Sequence, residues 1–280
     1  MNGLEGIGSA FIGHAAPIPP QPLLLRFILP RPSLLLHQLP TRRAGHGPGQ
    51  RVIHYMGHQA GATQPPTPHK TIHFCSQCAG PVDLKFVSSE DRWRHICSAC
   101  SHVHYLNPRN VVGCIVEHED QVLLCRRGIQ PQLGKWTVPA GYMELQESTA
   151  EGAARETLEE AGAAVEIVAP YVHFDIPGIG QAYLLFRARL APPFTFAAQA
   201  PESLETRLFP LEDIPWDELA FSAVSLALRY YVEDRRSQSW RMHHGVIRKQ
   251  AGAGPNDPGS FKLTDYMGLP LGAERIQTQA

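Results

Sequence analysis

No run in the 280-residue sequence reaches the roughly 18 to 20 consecutive apolar residues that a membrane-spanning helix needs. The greasiest stretch, Leu23-Leu24-Leu25-Arg26-Phe27-Ile28-Leu29, is interrupted by Arg26 and stopped by Pro30, so no membrane span is expected. Acid is nearly absent from residues 1–70, where Arg26, Arg31, Arg42, Arg43, Arg51 and Lys70 face the single Glu5. That local +5 leaves −6 for residues 71–280, since the whole chain carries −1. A segment without basic excess is a poor nonspecific nucleic-acid binder, because displacing counterions from phosphates requires a basic face. The expected partner is therefore a small molecule, with metal ions mediating.

What is present divides the chain into four parts. Residues 1–70 are rich in proline, with leucine clusters and no periodic pattern, so they are read as a disordered leader unable to bury a core. Acid-poor and Arg-bearing, this leader has the composition of an organelle transit peptide, plastid or mitochondrial, although its low serine content departs from the plastid norm. The absence of a basic residue before the first apolar stretch argues against a secretory signal. A tail with no address is the alternative. Residues 71–106 hold a compact cysteine unit, residues 107–235 the main domain, and residues 236–280, rising in Gly, Pro and polar content, an extended tail.

Within the main domain, "VVGCIVEHEDQVLLCRR" reads as two strands near 110–117 and 121–127 joined by a tight Glu-Asp turn. "WTVPAGYMEL" follows as strand and loop, then a helix, then strands in "AAVEIVAPYVHFDI" and "QAYLLFRARL". A last amphipathic helix, "FSAVSLALRYYVED", repeats Phe221, Val224, Leu228 and Tyr231 on one face. This order predicts an α/β sandwich around a mixed sheet.

Cys75, Cys78, Cys97 and Cys100 form C-x2-C, a gap of 18, and C-x2-C, the spacing of a tetrahedral four-thiolate zinc site. Two disulfides would fit badly with a cell-interior address. A closed four-ligand site offers no open position for chemistry, and so small a unit has too little core to fold without its metal, so the zinc is read as structural. Cys114 and Cys125 fall in the predicted hairpin, where buried free thiols are the default and a redox role the alternative.

The acidic helix is sharply bounded. Ser148 with Glu151 three residues on matches a capping box and Gly162 supplies a stop, predicting a helix over 149–161. Ala150, Ala154, Thr157, Leu158 and Ala161 form a narrow apolar face, with Glu156, Glu159 and Glu160 expected on the other side. Like charges three or four apart destabilise a helix, and only Arg155 is at hand to offset them. A hard divalent cation explains this imbalance better than solvation, since Mg2+ prefers carboxylates, waters and phosphate oxygens.

Gly141, Glu147 and Arg155 through Ala163 match G-x5-E-x7-R-E-U-x-E-E-x-G-U at every fixed position, with Thr157 and Ala163 in the two loosely apolar places. That pattern is the Nudix box, and the chain resembles a Nudix hydrolase over roughly residues 107–235. The resemblance implies an α/β/α sandwich preceded by a zinc ribbon, and hydrolysis of a diphosphate bridge. It implies that Glu156, Glu159 and Glu160 bind Mg2+ or Mn2+, and that Arg155 and Glu147 orient them. Glu159 is one candidate for the base. A glutamate from a later loop is the other, and "PESLETRLFPLEDIP" offers Glu205, with Glu202 the weaker choice.

The layout of ribbon and Nudix domain suggests two branches. One, the NADH pyrophosphatase and decapping type, carries a downstream S-Q-P-W-P-F-P-x-S motif that this sequence does not contain. The other comprises plant and algal plastid hydrolases of FAD and ADP-ribose, which stretches such as "FCSQCAGPV", "LNPRNVVGCIVEHEDQVLLCRR" and "ESLETRLFPLEDIPWDELAFS" resemble. It implies cleavage of FAD to FMN and AMP and of ADP-ribose to AMP and ribose 5-phosphate, a chloroplast address before a mitochondrial one, and a homodimer. A rival of another class makes the ribbon, with His95, Arg92, Arg94, His102, His104 and Arg109, a nucleic-acid or protein binder on a Nudix scaffold. Trp136, Tyr142, Phe174 and Tyr183 lie near the expected cleft but are read as core packing, and Pro177 as a turn.

Overall fold

The computed structural model describes residues 71–250 and 260–271; the expected leader at 1–70 and part of the expected tail lie outside them. Among the described residues no helix is long and apolar enough to cross a membrane.

The cysteine unit forms its own three-stranded antiparallel sheet from β1 (Val82–Val87), β2 (Arg92–Cys97) and β3 (Val103–His104). A second sheet has nine strands: β4 (Arg109–His118), β5 (Gln121–Arg127), β6 (Trp136–Thr137), β7 (Ala140–Tyr142), β8 (Val165–Ile176), β9 (Gln181–Leu190), β10 (Ser203–Pro210), β11 (Arg241–Lys249) and β12 (Phe261–Pro270). Its main path runs β10-β5-β4-β9-β8-β11-β12, with β4 parallel to β9, β11 parallel to β8, and antiparallel pairs elsewhere. The mixed sheet expected from the sequence is therefore present.

Strict alternation along β4 sorts the core into two layers. Val112, Cys114 and Val116 point to one face and pack with Ala153 and Ala161 of α1 (Thr149–Ala161). Val111 and Ile115 point to the other and pack with Val224, Leu228 and Tyr231 of α2 (Ser222–Ser237). A strand covered on both sides reads as a continuous apolar run rather than a clean alternation, which is why residues 111–116 are all apolar or glycine.

The tail departs from expectation. Rather than extending loosely, its described residues supply the last two strands on one side of the sheet, β11 and the edge strand β12, paired in antiparallel register from Arg241↔Pro270 to Lys249↔Phe261. The joint is polar, and Asp234 and His243 at its centre are fully buried. Asp234 of α2 accepts hydrogen bonds from Arg241 Nε (2.9 Å), Arg241 N (3.0 Å) and Tyr171 Oη (3.2 Å), and lies 3.0 Å from His243 Nε2. Burial would raise the Asp234 carboxyl, but the Arg241 guanidinium and His243 ring hold it below the ordinary value. Hydrophobic periodicity carries no trace of such a joint, because charged pairs rather than an apolar stripe make it.

Candidate metal-dependent hydrolase site

The acidic helix α1 runs over the expected residues. The Ser148 side chain accepts from Glu151 N, the Glu151 side chain accepts from Ser148 N, and Gly162 closes the helix in the left-handed region at φ 58°. Its buried face differs from the expected stripe. Gly152, Ala153, Glu156, Thr157, Glu160 and Ala161 are covered, whereas Leu158 is 56% exposed. Two carboxylates thus sit on the protein side of the helix, each only 7% exposed.

Arg155 holds the cluster together. Its Nε and Nη2 grip both oxygens of Glu147 at 2.9 and 2.8 Å, and its Nη1 donates to Glu156 Oε1 at 2.8 Å and Glu159 Oε2 at 2.7 Å. Nη2 also donates to the Tyr142 carbonyl at 3.1 Å. A planar guanidinium with five donors is suited to such a hub, where an ammonium could not make the paired contact with Glu147. Hydrogen bonds from Arg155, then from Glu144 N, bring the Glu147 carboxyl down to about 2. Glu160 Oε2 accepts from Ala140 N at 3.0 Å. Gly141 on β7 is required by close approach: a Cβ there would overlap the Glu156 carboxyl.

The donor set fits a hard divalent cation. Three carboxylates share one guanidinium, and burial pushes Glu160 up to about 7 and also raises Glu156. A divalent ion would neutralise this excess of buried negative charge.

Glu156, Glu159, Glu160 and Arg155 line a cleft of 780 Å³. Glu202 lines it too, and its charge helps raise both Glu156 and Glu160. Glu205 does not line it; its Oε2 lies 3.7 Å from Arg126 Nη1 on the neighbouring strand β5. Of the four aromatics weighed, Tyr142 and Tyr183 reach the cleft, while Trp136 packs edge-on to Phe209 and Phe174 is fully buried. Tyr142 is fixed by Arg109 4.3 Å over its ring and by Gln181 Nε2 donating to its hydroxyl at 2.8 Å. Arg127, which sequence reasoning passed over, and Phe221, which it read as part of an apolar helix face, also line the cleft, with the guanidinium 5.0 Å over the ring. The Arg-Arg pair ending β5 carried no spacing that distinguishes a ligand-facing cation from a solvated one.

In the ribbon, Cys75 and Cys100 Sγ are 3.7 Å apart and Cys78 and Cys97 Sγ are 3.5 Å apart, with all four within 4.8 Å of one another. A tetrahedron with Zn–S bonds of about 2.3 Å has edges of about 3.8 Å, so the thiols stand where zinc would place them. Backbone N–H groups of Ala99 and Cys100 point at Cys97 Sγ, each at 3.4 Å, and Gln77 N points at Cys75 Sγ at 3.4 Å. Cys114 and Cys125 are buried and free, and burial pushes their thiols up to about 11 and about 12, which leaves little thiolate for redox chemistry.

Comparison with known proteins agrees with this geometry. The family described as NUDIX domain matches residues 107–228, and the zinc ribbon described as Nudix N-terminal matches residues 73–106. Two curated relatives, each named NAD-capped RNA hydrolase NudC, are similar: that of Salmonella heidelberg is 30% identical over 35% of this chain, and that of Photobacterium profundum 33% over 34%. The matched stretch spans only 36% and 34% of those relatives' length. A solved Nudix hydrolase from Nitrosomonas europaea is 47% identical, with a TM-score of 0.61, covering 64% of this chain and 100% of that one. With a solved family member matched along its whole length at that identity, and with the box intact on its helix, this chain belongs to the Nudix hydrolase family.

Proposed function

We propose that this chain hydrolyses the diphosphate bridge of nucleoside diphosphate derivatives with Mg2+ or Mn2+, cleaving FAD to FMN and AMP and ADP-ribose to AMP and ribose 5-phosphate. The observation that carries the proposal is the convergence of Glu156, Glu159, Glu160 and Glu202 on one 780 Å³ cleft whose walls include Phe221 and Tyr183. Such a cleft falls within the usual range for ligand pockets, and apolar rings beside a charged end suit a flat heterocycle joined to a diphosphate.

Divalent ions held by Glu156, Glu159 and Glu160 would supply charge neutralisation to the diphosphate and would acidify a water. The residues do the rest. Arg155 and Glu147 hold the helix carboxylates in place, so little reorganisation is needed when charge develops. Glu202, on the same cleft and in no ion pair among the described residues, accepts the proton of the attacking water. Arg127, whose charge reaches Glu160 on the same cleft, offers a cation to the diphosphate.

A second reading, hydrolysis of NADH, is favoured by similarity to proteins named NAD-capped RNA hydrolase, although the downstream motif of that branch is missing. Chromatography of FAD, ADP-ribose and NADH digests separates them: FMN plus AMP from FAD ahead of NADH cleavage is expected, and NADH preference would install the second reading. Glu160→Gln should lower turnover by at least ~100-fold, the scale of removing one preorganised electrostatic contact, with the circular dichroism unchanged. Near-wild-type activity at saturating Mg2+ would overturn the metal assignment.

A further inference from the structure

Away from the cleft, a second set of metal-ligating side chains is assembled by strand register. His173 and Asp175 alternate on β8 and so share one face, and parallel pairing sets His244 of β11 beside His173. One ligand atom from each lies within 4.8 Å of the other two. His173 Nε2 is 3.4 Å from Asp175 Oδ1, and His244 Nε2 is 3.5 Å from Asp175 Oδ2. These separations are long for charge-assisted hydrogen bonds, which run about 2.7–2.9 Å. They run to different oxygens of Asp175, and each is close to the roughly 3.3 Å that separates N and O ligands standing about 2.0–2.1 Å from one zinc.

Among the described residues the three side chains make no polar contact outside their own group, and the two rings meet edge to face at 5.1 Å. Side-chain exposures of 34%, 41% and 24% leave a path for an ion from solvent. The flanking partners on β9, Leu184 opposite His173 and Ala182 opposite Asp175, bring no competing charge.

We propose that His173, Asp175 and His244 form a second zinc site, distinct from both the cysteine cluster and the acidic helix. Two imidazoles and one carboxylate select a borderline transition ion over Mg2+, and three protein ligands leave one position for water. The ion would tie β8 to β11 on the face opposite Ile176 and Ile247, the next residues along each strand's register, which line the cleft. Zinc here is thus placed to stiffen the wall that substrate touches.

The test measures zinc content of the full chain after equilibration with buffered micromolar Zn2+ in millimolar Mg2+, which occupies the helix carboxylates. Wild type should hold one zinc beyond that of the four cysteines, and the His173→Ala/His244→Ala variant should lose that equivalent alone. Asp175→Asn, which preserves side-chain shape, should weaken the extra zinc at least tenfold. Unchanged circular dichroism and one retained zinc on the four cysteines show that the variants are folded. Should wild type bind no zinc beyond the cysteine equivalent, the trio is an ordinary ion pair; should the double variant keep the extra zinc, the ion sits elsewhere. Either result overturns the proposal.

Discussion

Glu147 never needs to touch a metal to matter, because it holds the one cation of the acidic helix. Its carboxyl is lowered from 4.5 to about 2 by Arg155, so it favours the folded state at every pH above its ordinary value, and that contribution is lost as pH falls from 4.5 toward 2. Glu147→Gln removes it. Thermal denaturation across pH should show the variant less stable than wild type near neutrality, with the gap closing between pH 4.5 and 2; a constant gap would mean that the pair contributes through packing. The residues of this cluster were legible in the sequence because the box spells out type and spacing together. The loop glutamates Glu202 and Glu205 were both legible, but which of them faces the cleft was not. Between Ser203 and Glu205 the pairing of β10 with β5 slips, so Glu205 lands opposite Arg126 while Glu202, just before the strand, faces the cleft. A one-residue slip reverses which face a side chain takes, and composition holds no record of it.

Among the elements, α1 was the easiest to bound and the hardest to orient. Its ends rest on local chemistry, the reciprocal bonds of Ser148 and Glu151 and the left-handed Gly162, all within a few residues. Ser148→Ala should therefore cost about 1 kcal/mol of stability in a denaturant titration, and a null effect would show that tertiary packing alone sets the helix start. Which side of α1 is buried depends instead on distant strands. Periodicity favoured the alanines and Leu158, yet β7 brings Gly141 and Ala140 against Glu156 and Glu160 and so covers two charges. The strands β4 and β5 were readable as apolar runs around the Glu119-Asp120 turn, whereas β11 and β12 were not, since polar pairing to Asp234 holds their base.

At the level of the whole molecule, the ribbon and the nine-stranded sheet are hydrogen-bonded as separate sheets. Four thiolates then carry the folding of a unit with little core of its own. Chelation of zinc should erase hydrogen-exchange protection in β1 and β2 while β4, β8 and β9 keep theirs; loss throughout would mean that the ribbon braces the main sheet. The order of elements along the chain has another outcome. The acidic helix is finished by residue 161, but the cleft is also lined by Ile247 from β11 and Phe261 from β12, which follow it by many residues in the chain. A ribosome releases the carboxylates long before it releases the wall they work against. A nascent chain that has emerged only through the acidic helix is accordingly expected to lack turnover, because the wall that Ile247 and Phe261 supply is still missing.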